Sequence, residues 1–159
     1  MRAPSRCRIG LQAGVTLLLL SGSGAAAQTT PERGAVDAPR IAGIALGDSV
    51  PGVLRALGQP DRRQESLGFR FWDYRSRAMS LTWDRTDDRV HVVVVSDSMA
   101  GAVDGVRVGD PATAVARRWG SPARVRAHGR FLDFVRRGWT CTAEVRDGRV
   151  AEITMTLAR

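Results

Sequence analysis

Few side chains in this chain of 159 residues are equipped for chemistry. One serine stands directly after a Gly-Asp pair, in Gly47-Asp48-Ser49-Val50. A serine nucleophile needs a base to take its proton, ordinarily a histidine oriented by a carboxylate. The chain offers two histidines, His91 and His128, and two cysteines, Cys7 and Cys141. Histidines 37 residues apart, with Cys141 beyond them, make no metal-ligand spacing, so neither a metal nor a cofactor is expected. His91 opens an apolar run and suits the edge of a core; His128, before Gly129, suits an exposed turn. Cys141 alternates with Trp139 and Ala143, the pattern of a small buried hydrophobe. A reactive thiol would want exposure and a cationic neighbour.

The Gly-Asp-Ser block resembles the nucleophile block of GDSL-type hydrolases. That resemblance implies an ester substrate, attack by Ser49, and activation by an Asp-x-x-His pair near the C-terminus. No such pair exists there, because the residue three before His128 is Val125. A second copy of the block, Gly109-Asp110-Pro111, keeps the glycine and aspartate and loses the serine. An aspartate that caps a helix explains both copies, so no catalytic residue is expected and a hydrolase using Ser49 stands as the alternative.

The two blocks belong to longer matching segments. Residues 43–60 match residues 105–122 at a spacing of 62, with seven of the 18 positions identical. The identities are Gly43, Gly47, Asp48, Val53, Arg55, Gly58 and Pro60, matched by Gly105, Gly109, Asp110, Val115, Arg117, Gly120 and Pro122. Self-similarity at a fixed period speaks of architecture before function. In each copy the aspartate stands where a helix begins, and Pro111 suits the first helical position. Val50, Val53, Leu54 and Leu57 then repeat at helical spacing, as do Ala112, Val115, Ala116 and Trp119. Gly58 and Gly120 suit the left-handed residue that ends a helix, and Pro60 and Pro122 block its continuation.

Extended segments follow each helix: Phe69–Tyr74, Ser80–Asp84 and Val90–Val95, then Arg130–Val135, Thr140–Val145 and Val150–Leu157. Asp87-Asp88 and Asp147-Gly148 suit hairpin turns. The expected fold class is therefore α+β, two tandem repeats (41–98 and 103–159), each a short helix packed on an antiparallel sheet. Trp72, Trp83, Trp119 and Trp139 fall at apolar positions and read as core; the arginine pairs 62–63, 117–118 and 136–137 read as solvated faces.

Arg2, Arg6 and Arg8 precede an apolar stretch through Leu17–Leu20, and small residues lead to Ala25-Ala26-Ala27. This is the layout of a cleavable secretory signal, with cleavage after Ala27 and a polar, flexible leader at 28–40. No cysteine follows the apolar run, so a lipoprotein is not expected, and the product is read as periplasmic or secreted. Loss of the three arginines lowers the net charge from +8 to +5, and Cys141 remains as the one cysteine. All the basic residues are arginine, with acidic residues interspersed, which together with export argues against a nucleic-acid partner. Peripheral contact with anionic lipid and homo-oligomerisation both stay open.

The phrase apolar-x-apolar-Gly-Asp-x-x-x-x-Val, followed by Leu-Gly-x-Pro-Asp, resembles the repeat unit of the BamE (SmpA/OmlA-type) family and of the tandem-repeat β-lactamase inhibitor protein. The resemblance covers about residues 41–157 and implies a protein-binding role in the cell envelope, either as a module or as an inhibitor of a secreted enzyme. Glycine, aspartate and proline in that phrase shape a corner and name no ligand. One strand resists a purely structural account. Val90, Val92, Val93, Val94 and Val95 put valine on both faces, with Val93 and Val95 assigned inward. Val92 and Val94 are then the candidate protein-binding residues, unless the second copy's chain covers them.

Overall fold

The computed structural model describes residues 37–158. The expected signal segment, 1–27, and the first part of the leader lie outside these residues. Two short helices, α1 (Val50–Leu57) and α2 (Ala112–Trp119), accompany eight strands: β1 (Arg62–Ser66), β2 (Phe69–Tyr74), β3 (Met79–Asp84), β4 (Val90–Val95), β5 (Arg124–Arg126), β6 (Phe131–Arg136), β7 (Trp139–Arg146) and β8 (Arg149–Leu157). All eight belong to one antiparallel sheet, in the order β1-β2-β3-β4-β8-β7-β6-β5.

This arrangement overturns the expectation of two separate helix-on-sheet units. The protein is mostly β, and a single sheet runs through it. The reason is at β4 and β8, each of which would otherwise present an unpaired row of N–H and C=O groups. They pair with each other instead, Val93 opposite Met155 and Val95 opposite Ile153, about a central Val94–Thr154 pair. All four flanking side chains are buried, so one core spans the join.

The strand β1 and the three-residue β5 were not expected. Both are outermost, every one of their residues is exposed, and Arg-Arg-Gln-Glu-Ser and Arg-Val-Arg carry no apolar alternation. Charged edge strands of this kind resist pairing with another chain.

Helix starts also differ from expectation. Asp48 and Asp110 do not cap the helices; the capping positions are held by Ser49 and Pro111. Ser49 Oγ accepts the Gly52 N–H at 3.4 Å, and Pro111 has no side chain able to cap. The aspartates instead close the turn before the helix. Asp48 Oδ2 accepts the Ala45 N–H at 2.9 Å, and Asp110 Oδ2 accepts the Arg107 N–H at 3.0 Å. Each also donates its own backbone N–H to the carbonyl of that same residue. The Gly-Asp pair is then stitched to the last strand of its half, Gly47 N–H to Val90 O and Gly109 N–H to Val150 O.

At the helix ends, Gly58 and Gly120 have φ near 80° but ψ of −159° and −157°. That region is accessible to glycine alone, and is not the left-handed helical conformation expected. On α2 the buried residues are Ala114, Val115 and Trp119; Ala116, placed inward by the periodicity, is exposed.

The core fills differently in the two halves. Leu57 and Trp119 hold matching places on the helices, while Trp72 and Trp83 of the first half lie in register where the second half has Leu132 and Val145. The first half therefore puts its bulk on the sheet and the second puts it on the helix. The rings of Trp72 and Trp83 meet at a tilt with centroids 4.5 Å apart, and Trp119 meets Phe134 edge-on at 5.2 Å. The last residues assigned to the leader are anchored: Asp37 O accepts the Trp139 Nε1–H at 3.2 Å, and Ala38 packs on the core.

Candidate functional site

Side chains alternate across a sheet, so the pairing registers define both faces. One face carries Trp72, Leu81, Val93, Met155, Cys141 and Phe134, all buried with the helices. The opposite face carries Val92 and Val94, both half-buried. On this face the residues beside them are hydroxyl-bearing: Thr82 and Thr156 flank Val92, and Ser80 and Thr154 flank Val94. Thr140 and Thr142 extend the two rows on β7. All six are half-buried, as residues with a strand on either side and solvent above must be. The second copy's chain thus lies beside β4 through β8 and does not cover its outer face.

The row through Val94 matches in chemical type from either edge at its outer three positions, and its central pair is Val94 beside Thr154. In sheet order it runs Arg62, Asp73, Ser80, Val94, Thr154, Thr142, Asp133, Arg124. Ser80 donates to Asp73 Oδ1 and Thr142 donates to Asp133 Oδ1, each at 2.8 Å. Arg126 adds two bonds to Asp133, at 2.6 and 2.9 Å. The hydrogen bond from Arg126 holds the Asp133 carboxyl below the usual carboxylate range. Glu144, on the same face, is buried beneath Arg130 and Arg146, each of which donates an Nε–H to Oε1 at 2.8 Å. These bonds, that from Arg146 foremost, lower its pKa. The Asp73, Asp133 and Glu144 carboxylates are hydrogen-bonded to neighbouring side chains, and the face has an apolar middle, a hydroxylated surround and a charged rim.

Sequence reasoning did not find the Asp73–Ser80 and Asp133–Thr142 pairs, because neither partner is near the other in the chain and only the sheet register joins them. Two other residues escaped it. Arg89 and Arg149 donate to the carbonyls of Gly47 and Gly109 at 3.2 and 2.9 Å, tying each hairpin to its Gly-Asp corner. Aligning the hairpins at Val90 and Val150 brings these arginines into match, which was the available signal.

The residues considered for catalysis are dispersed in role. Ser49 Oγ is engaged at the start of α1, beside a shallow cleft of about 290 Å³ lined by Arg40, Asp48 and Arg55. Asp88 and His91 have the Asp-x-x-His spacing in mid-chain, but His91 Nε2 meets Asp87 Oδ2 at 2.8 Å while Asp88 pairs with Arg70. Among the described residues no hydrogen bond joins Ser49 to either histidine. His128, at φ 54°, lines a second open cleft of about 500 Å³ with Arg130 and Arg146. Burial pushes the Cys141 thiol up to about 12. No group of three or more histidine, cysteine, aspartate or glutamate side chains among the described residues could hold a metal ion. No helix among them is long and apolar enough to cross a membrane. The arginine pairs are less free than expected, since Arg63 lies over Trp72 at 4.6 Å and Arg136 donates to Trp119 O at 3.0 Å.

No protein-family model matches the chain, and no curated protein matches it in sequence. Solved structures do resemble it. A cysteine-rich secretory protein from Staphylococcus aureus aligns with a TM-score of 0.55 at 9% identity, over 76% of this chain and 47% of the other. An extracellular SCP-domain protein from Bacillus anthracis aligns at 0.48 and 12% identity, over 70% of this chain and 43% of that one. A DUF4309 family protein from Bacillus subtilis aligns at 0.46 and 13% identity, over 69% and 78%. This chain spans less than half the length of the first two proteins. The S. aureus likeness is one of fold alone.

Proposed function

We propose that this chain is an exported protein-binding module of the bacterial cell envelope, and that it engages its partner through the helix-free face of the sheet. One observation carries the reading: Val92 and Val94 occupy a central strand of an eight-stranded sheet, on the face that carries no helix among the described residues, and both remain half-exposed. An apolar centre ringed by hydroxyls, with charges at the margin, is the anatomy of a protein interface. Phe71 and Val135, on opposite wings of the same face, are exposed at 37% and 65%. Export rests on residues 1–27, whose charged, apolar and small-residue regions follow the order of a secretory signal.

Strand parity supplies the test. Val92→Thr combined with Val94→Lys should melt like the parent and lose partner capture from envelope extracts, or lose self-association on a sizing column. Val93→Asp should unfold the protein, because it forces an unpaired charge into the core. A Val92/Val94 variant that folds and captures everything the parent captures would remove the face from consideration.

A further inference from the structure

The tip of the β1–β2 hairpin breaks two rules at once. Ser66 pairs with Phe69, so the loop is the two residues Leu67 and Gly68, with φ of 49° and 83°. Such turns favour Asn, Asp or Gly at the first position, because a side chain held at positive φ crowds its own backbone. The other non-glycine residues at positive φ among those described are alanine, aspartate or histidine; Leu67 alone is large and apolar. It is also 94% exposed, above Met99 at 79%. A leucine strained into this position and left in water serves neither the hairpin nor the core.

We propose that Leu67 is a docking knob that inserts into an apolar pocket of a partner protein. The inference rests on the protein-binding reading and extends it from the sheet face to the hairpin tip. Shape selects the occupant, since a single side chain projecting from a two-residue turn is convex and needs a concave site. Charge argues against a lipid surface. The Arg85 N–H donates to Gly68 O, which brings the β3–β4 turn to the tip, and that end carries Glu65, Asp87 and Asp88 together with Arg70 and Arg85. The arginines there are paired with carboxylates, so no basic patch faces anionic head groups. Mixed charges around an apolar projection fit the rim of a protein pocket. The knob continues onto the helix-free face through Phe69 and Phe71, whose rings lie 6.4 Å apart.

The position makes an unusual demand: the residue best for binding is not the best for the free fold. Leu67→Asn and Leu67→Gly should both raise the melting temperature of the isolated protein, and each should reduce capture of the host partner from envelope extract at least tenfold. Leu67→Met should retain most capture, and Met99→Ser should change nothing. A photo-crosslinking residue at position 67 should label the same partner, and one at position 99 should not. Capture by Leu67→Asn and Leu67→Gly equal to the parent's, or no capture by the parent above background, overturns the proposal. Leu67-dependent sedimentation with phosphatidylglycerol vesicles would assign the tip to lipid, and Leu67-dependent dimerisation would assign it to a second copy; either result also overturns it. Loss of capture on changing Val92 and Val94 but not Leu67 would sink the tip and keep the face. Loss on changing Leu67 alone would do the reverse.

Discussion

Replacing Trp119 by alanine probes the join between helix and sheet. The indole is 7% exposed and meets Phe134 edge-on, and its Nε1–H donates to the carbonyl of Val103, itself 1% exposed. Truncation removes the packing and leaves both a cavity and an orphaned acceptor, at a total cost of about 3–5 kcal/mol. Trp119→Phe separates the two effects: most of the ring stays, the donor goes, and about 1–2 kcal/mol is lost. A domain of this size has about 6–18 kcal/mol to lose. The alanine variant therefore loses a large share of that margin, most of it at the low end of the range, and the phenylalanine variant a small share. Urea unfolding followed by far-ultraviolet circular dichroism measures both, with the slope checking that the transition stays two-state. Leu57→Ala, in the matching place on α1, should cost about 2–5 kcal/mol. The reasoning fails if Trp119→Ala unfolds within about 1 kcal/mol of the parent at unchanged slope, or if phenylalanine is as damaging as alanine.

Two further outcomes follow from the geometry. Gly58→Ala should cost about 1–3 kcal/mol although nothing lies within 4 Å of the added carbon, because φ 78° with ψ −159° excludes a side chain; a change smaller than about 0.5 kcal/mol would refute this. Glu144 is held ionised by Arg146 and Arg130, so its folded pKa lies below its unfolded one. Its contribution is full above the ordinary glutamate value and is lost as pH falls through the depressed one. Melting curves across pH 7 to 3 should show a weaker acid-side decline in Glu144→Gln than in the parent, and equal declines would contradict the pairing.

Local signals in this chain were strong where the backbone itself is constrained. The helix spans, with Val53 and Leu57 inward, were legible because helical spacing and the closing glycines act within one turn of chain. The outward parity of Val92 and Val94 was legible too, since alternation is a property of any strand. What the sequence could not specify was which partner each exposed backbone row would find. The joining of β4 to β8, and hence one sheet in place of two units, depends on two edges that meet only when both halves have formed. The polar strands β1 and β5 exist only because β2 and β6 offer them hydrogen bonds. Asp48 and Asp110 were read as helix caps and instead close the turn before the helix, because the N–H groups three residues back lie within reach of the same carboxylate. The Asp73–Ser80 and Asp133–Thr142 pairs, and the exposure of Leu67, were likewise decided in three dimensions. Side-chain partners across strands follow from register, and register is a property of the assembled sheet.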